Sequence, residues 1–183
     1  MIVFVFGNIH SGKTTLVNDI CARRPKYVPL VLDEYRGRYG DGTMDGETEA
    51  QRKLLDDMCR HKDCVVEMSG FGHNTEEAFL RSSDRERLVV IVECPKAECL
   101  RRVKEHGMPG VPFPYEGAYD DMIESFDGRM KSGHIERMWS SDIVLRMSGT
   151  DPGPCMDSLM EYIPRRGRMY HRGPRKRMWG LTV

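Results

Sequence analysis

Gly7-Asn8-Ile9-His10-Ser11-Gly12-Lys13-Thr14 follows directly on the apolar run Ile2-Val3-Phe4-Val5-Phe6. The spacing G-x-x-x-x-G-K-T after a buried strand is that of a phosphate-binding loop, and it makes the chain a handler of nucleoside triphosphate. Two glycines let the backbone of Gly7, Asn8, His10, Ser11 and Gly12 curl round an anion with its N–H groups inward, and the helix that follows turns its positive dipole end to the same phosphates. Lys13 is expected to reach the β and γ oxygens, Thr14 to offer its hydroxyl to Mg²⁺, and Thr15 to continue the phosphate contacts, with Leu16, Val17 and Ile20 carrying the helix onto a sheet.

Working outward, Val28 to Leu32 is a second apolar run, with Pro29 pointing to an edge strand, and it ends in Asp33-Glu34 at the carboxyl end where open α/β sheets bind ligands. Gly37 to Gly46 has four glycines and no apolar period, so it is expected to be a mobile stretch. Thr48 with Gln51 suggests a capping box for a helix through Leu54, Leu55 and Met58. Cys64 to Met68 reads as a third strand, Ser69-Gly70-Phe71-Gly72 as a tight turn, and Thr75 as the cap of a short helix to Arg81. Leu88 to Val92 is a fourth strand, Pro95 opens a helix to about His106, and prolines at 109, 112 and 114 precede a helix to about Lys131. Ile143 to Leu145 is a short fifth strand, followed by a helix marked by Met156, Leu159, Met160 and Ile163. Strands that are continuous apolar runs and alternate with helices predict an α/β fold: a five-stranded, mostly parallel sheet with helices on both faces.

One domain accounts for 183 residues, and 39% hydrophobic with 31% charged residues is an ordinary globular balance. No run approaches the roughly 18 apolar residues of a membrane span, so a cytoplasmic enzyme is expected, in the host cytoplasm if the source is viral. The six cysteines contain no C-x-x-C pair, and zinc-like spacing is missing around Cys59, His61 and Cys64. The formal net charge of zero hides an asymmetry: seven basic residues, Arg165 to Arg177, follow the last acid, Glu161, leaving 21 basic against 28 acidic side chains in the body. We therefore expect a domain over residues 1–163 and a basic tail over 164–183, where Tyr170, His171 and Trp179 interleave with the charges as in a polyanion-binding arm.

The guanine-reading N-K-x-D is missing, the chain is short for a motor, and Arg101 and Arg102 sit beside Gly107-Met108-Pro109-Gly110. That combination predicts a P-loop kinase with a small lid over about 101–115, closing on the triphosphate and excluding water. Guanidinium groups there would stabilise charge on the transferring phosphoryl group. Asp33 is the best-placed carboxylate to take a proton from an acceptor hydroxyl, and Arg36, Arg38, Tyr35 and Tyr39 offer phosphate forks beside aromatic faces.

Over roughly residues 2–131 the chain resembles the phage-type polynucleotide 5′-kinase family. The resemblance rests on the phosphate loop, on Asp33-Glu34-Tyr35-Arg36 twenty residues beyond Lys13, and on Leu100 to His106 with Gly107 and Val111-Pro112. It implies Asp33 as general base, Arg36 gripping a substrate phosphate, and a lid arginine at Arg102 or His106. Where that family has a Ser-Asp-Thr-Asn-like segment, this chain reads Glu67-Met68-Ser69-Gly70-Phe71-Gly72-His73-Asn74. Glu67 could ligate Mg²⁺ through water, orient Arg36 or meet the acceptor, while Phe71 and His73 suit a pocket for a base. The expected activity is ATP- and Mg²⁺-dependent transfer of the γ-phosphate to a hydroxyl on DNA, either a 5′ end or the hydroxymethyl group of a modified pyrimidine. A small-molecule kinase or a nucleotide-dependent binding module are the alternatives.

Overall fold

A computed structural model of the chain describes residues 1–107, 110–114 and 119–164. The expected basic tail beyond Pro164, and residues 108, 109 and 115 of the expected lid, lie outside the described residues. Five strands, β1 (Ile2–Gly7), β2 (Val28–Val31), β3 (Cys64–Met68), β4 (Arg87–Glu93) and β5 (Ile143–Ser148), form one sheet in the order β2-β3-β1-β4-β5. Every pairing is parallel. β2 is an edge strand, so Pro29 leaves no ladder bond unmade on its outer side.

The apolar run of β1 is explained by the two faces of the sheet. Val3 and Val5 join one core with Leu16, Val17 and Ile20 of α1 (Lys13–Arg23) and Met156, Leu159 and Met160 of α8 (Gly153–Tyr162). Ile2, Phe4 and Phe6 join the other, with α3 (Met44–Arg60), α4 (His73–Arg81) and the segment of α7 (His134–Met138) and Trp139. A strand buried on both faces has no reason to alternate apolar with polar.

Three local expectations need correction. Residues Leu32–Tyr39 form a helix, α2, which begins without a turn at the end of β2; Asp33 and Glu34 lie in its first turn, where carboxylates favour the helix dipole. The expected mobile stretch therefore shrinks to the few residues before α3. That helix starts at Met44, not at Thr48, because Thr43 accepts from Gly46 N–H at 3.1 Å and is itself held by Asp41 at 2.6 Å. α4 starts at His73, two residues before Thr75, whose hydroxyl bonds back to Phe71 O. α7 had no sequence signal of its own; it presents Ile135 to the core and leads into the fully buried Trp139. Between β4 and β5 lie α5 (Lys96–His106) and α6 (Tyr119–Lys131) as well as α7.

Candidate active site

The carboxyl ends of β1, β2, β3 and β4 converge on one crevice, and β1 supplies its centre. Beyond Gly7 the loop is held tightly: Ser11 N–H donates to Asn8 O, Lys13 Nζ donates to Asn8 O at 2.7 Å, and Gly12 takes φ +100°. His10 sits at φ +55°, the only non-glycine residue with a positive φ among the described residues, a conformation an anion-cradling loop can impose. A side chain at Gly7 would place its Cβ 2.6 Å from Ser11 Oγ and 2.9 Å from Val92 O. Glycine is therefore required by space. Asn8 contributes backbone only, since its amide is buried and donates to Ile123 O of α6. Ser11 is fully buried and its hydroxyl has no partner among the described residues.

Glu67 faces this loop from β3, in register with Val5 of β1 and Val31 of β2. It is 6% exposed. Thr14 Oγ1 donates to Glu67 Oε2 at 2.9 Å, and Lys13 Nζ lies 3.9 Å from Oε1. Burial pushes the Glu67 carboxyl up, against the pull of Lys13 and Thr14. A buried carboxylate touching a threonine hydroxyl at the mouth of a phosphate loop is an all-oxygen donor pair of the kind Mg²⁺ accepts. Thr14 and Glu67 therefore fit a magnesium site. Glu67 does not touch Arg36.

Arg36 is held instead by a residue that sequence reasoning missed. Its Nε and Nη2 donate to both oxygens of Glu47 at 2.7 and 2.6 Å, while Nη1 donates to Asp33 Oδ1 at 2.7 Å. Glu47, on α3, is 5% exposed and also accepts from Gln51 at 2.6 Å. Burial works against the charge of Arg36, yet Glu47 and Asp33 more than offset it and raise its pKa. The guanidinium also lies 4.7 Å from the ring centroid of Phe113, in the 110–114 segment. Asp33 is thus oriented by Arg36, and Arg36 by Glu47. The helical i, i+3 spacing of Asp33 and Arg36 could have been read from the sequence once α2 was recognised; the link to Glu47 had no such signal.

The remaining expected substrate residues are scattered. Tyr35 is buried and donates its hydroxyl to Asp57 at 2.7 Å, and Phe71 is buried in the core against Phe126, so neither ring is open for a base. Both were drawn inward because their helix and turn pack on the Phe4/Phe6 face. Arg38 is exposed and pairs weakly with Glu34 at 3.4 Å; His73 is exposed at the start of α4 beside Glu76.

On the other side of the loop, Arg101, Arg102 and His106 differ in where they point. Arg102 turns inward, donating to His10 O at 3.0 Å and Gly149 O at 3.3 Å, whereas Arg101 is exposed and pairs with Glu98 and Glu105. Both arginines donate to Glu98 and hold its carboxyl down at about 2. His10 reaches Gly107 O at 2.9 Å, and its ring is stacked 6.5 Å from that of His106. Burial lowers the His10 pKa, helped by the nearby charges of Lys13 and Arg102. A cavity of about 280 Å³ opens beside the loop, lined by residues that include Gly12, Thr15, Arg102, Gly149 and Thr150. Gly149, also absent from the sequence-based site, is fitted so closely that a Cβ there would fall 1.9 Å from Ser11 O.

These features define the P-loop kinase fold. No protein-family model matches the sequence, and no curated protein matches it. Solved structures do match the fold. A putative kinase from Chloroflexus aurantiacus is 14% identical with a TM-score of 0.63, over 88% of this chain and 95% of that one. Shikimate kinase from Aquifex aeolicus is 19% identical with a TM-score of 0.57, over 88% and 95%. Kti12 from Chaetomium thermophilum, in complex with ADP-AlF3, is 15% identical with a TM-score of 0.59, over 89% and 97%. Among the described residues, no helix is long and apolar enough to cross a membrane.

Proposed function

We propose that this chain is an ATP- and Mg²⁺-dependent kinase that moves the γ-phosphoryl group to a hydroxyl on a nucleic acid, DNA in the first instance. The acceptor would be a 5′ end or the hydroxymethyl group of a modified pyrimidine. The observation that carries the reading is the position of Asp33: a half-exposed carboxylate on the first turn of α2, fixed by the Arg36–Glu47 pair and two residues beyond the strand position paired with Glu67.

In this reading the loop N–H groups and Lys13 bind the triphosphate, and the cavity beside Gly149 receives the nucleoside. Thr14 and Glu67 would hold Mg²⁺, which would supply charge neutralisation for the triphosphate. Asp33 accepts the proton as the acceptor oxygen bonds to phosphorus and the bond to the ADP oxygen breaks. Arg102, already beside the loop, balances charge that develops on the transferring group. Support for a polymeric acceptor comes from the sequence: the resemblance around Asp33-Glu34-Tyr35-Arg36 and the basic residues from Arg165 to Arg177.

A small-molecule acceptor is the second reading, favoured by one observation: a solved neighbour of this fold is a shikimate kinase. The experiment that separates them offers γ-labelled ATP and Mg²⁺ with 5′-hydroxyl oligonucleotides, duplex DNA containing 5-hydroxymethyluracil or 5-hydroxymethylcytosine, and free nucleosides, then digests the product to locate the label. Label on a polymer, lost or made less salt-sensitive when residues 165–183 are deleted, supports the nucleic-acid kinase. Label on free nucleosides alone supports the second reading.

A further inference from the structure

Arg102 stands on the half of α5 that the core holds least. Cys99 is the one buried residue of this helix. Beyond it Arg101, Lys104, Glu105 and His106 are exposed, and Arg102 and Val103 are only partly buried. Arg101 spends its guanidinium on Glu98 and Glu105 within the helix itself, and the closing N–H, that of Gly107, returns to Val103 O at 2.8 Å. A helix end with so little apolar burial opens readily unless polar contacts tie it down.

Among the described residues, two hydrogen bonds tie this half of α5 to the phosphate loop, and both end on His10. Its carbonyl accepts from Arg102 Nη1 at 3.0 Å, and its ring Nε2 lies 2.9 Å from Gly107 O, 97 residues further along the chain. A carbonyl only accepts, so Nε2 carries the proton. Burial, with Lys13, His106 and Arg102 close by, lowers the His10 pKa; the ring donates while neutral, and the tie needs no charge. The backbone at His10 has φ +55°, a left-handed conformation that glycine adopts freely and histidine adopts only at a cost. Strain of this kind collects where function fixes a side chain, and here the fixed side chain is the one that reaches Gly107.

We propose that His10 is a positioning residue for phosphoryl transfer: its imidazole, bonded to Gly107 O, holds the end of α5 against the phosphate loop and so keeps Arg102 within reach of the transferring group. The assignment rests on the kinase reading and on the part given there to Arg102. In the structure Arg102 donates to two neutral acceptors, the carbonyls of His10 and Gly149. A guanidinium leaves such acceptors for a phosphate oxygen, because a bond between charged partners is the stronger one. Once Arg102 has turned to phosphate, its own link to the His10 carbonyl is gone. The imidazole link remains to hold the helix.

The test compares the full-length protein with His10→Asn and His10→Gln, using γ-labelled ATP, Mg²⁺ and the acceptor that the wild type labels. Asparagine tolerates the left-handed backbone but is too short for Gly107 O, whereas glutamine sets an amide N–H at about the reach of Nε2. His10→Asn should lower kcat about tenfold with ATP affinity, read by calorimetry, within about threefold of the wild type, and His10→Gln should transfer within about threefold of the wild type. In an Arg102→Ala background His10→Asn should cost less than about twofold more, because the imidazole acts through Arg102. Wild-type kcat in His10→Asn, a loss that His10→Gln shares, a fall in ATP affinity that matches the fall in kcat, or an undiminished loss in the Arg102→Ala background overturns the proposal and leaves the kinase reading intact. If the wild type labels no acceptor, the kinase reading falls, and amide hydrogen exchange decides on the tie by itself. Exchange over the last turn of α5 at least about fivefold faster in His10→Asn, but not in His10→Gln, supports the tie through the imidazole; equal exchange in all three proteins overturns it.

Discussion

On the nucleotide side of the crevice, backbone lies against backbone: Gly7 against the Val92 carbonyl, Gly149 against the Ser11 carbonyl, and His10 bent to a positive φ in the same loop. On the proposed acceptor side, two helices meet through charge, with Asp33 and Arg36 of α2 and Glu47 of α3 in one chain of ion pairs. Close backbone packing tolerates no added atom, but it is indifferent to charge. A buried ion chain behaves in the opposite way: it has room, yet removal of one partner strands the rest.

Glu47→Ala probes that difference most strongly. It leaves Arg36 largely buried with only Asp33 for company, and breaking such a pair costs about 3 kcal/mol. Thermal unfolding should show the loss, while ATP affinity stays near the wild-type value because Glu47 touches nothing on the nucleotide side. A variant as stable as the wild type would mean that the ion chain holds nothing together. Gly149→Ala is the counterpart. Its Cβ would fall 1.9 Å from the Ser11 carbonyl, which is backbone and cannot swing away, so the strain is about 1–3 kcal/mol and the loop must shift. ATP binding should weaken in calorimetry; unchanged affinity would show that Gly149 is not part of the cradle.

The smallest effect concerns pH. The folded protein lowers the His10 pKa from its ordinary 6.5 through burial first, so the unfolded chain takes up the proton more readily. Stability then falls as pH drops below the unfolded value toward the folded one. His10→Gln should lose less melting temperature than the wild type between about pH 7.5 and 5.5. Equal losses would place the acid sensitivity elsewhere.

The same contrast explains what was legible in the sequence. The phosphate loop could be read because all its parts lie within eight residues and its glycines answer to local geometry. The strands were readable as apolar runs, and Asp33 as an acid at a strand end. Glu47 could not be found that way: it reaches Arg36 across a helix boundary, from a segment whose glycines suggested a loop until Thr43 and Asp41 are seen to cap α3. Gly149 meets Ser11 only after the chain has crossed the whole sheet. Tyr35 and Phe71 were misread in the other direction, since an aromatic beside glycines or arginines looks like a binding surface when the sequence does not say which face of the sheet claims it.

The central claim is that nucleotide binding and proton abstraction are divided between the two sides. Asp33→Asn keeps shape and size while removing the base. The account predicts that the variant binds ATP within about twofold of the wild type and transfers the phosphoryl group at least about a hundredfold more slowly to the acceptor that the wild type labels. Wild-type transfer by Asp33→Asn, or a parallel loss of ATP binding, would contradict it.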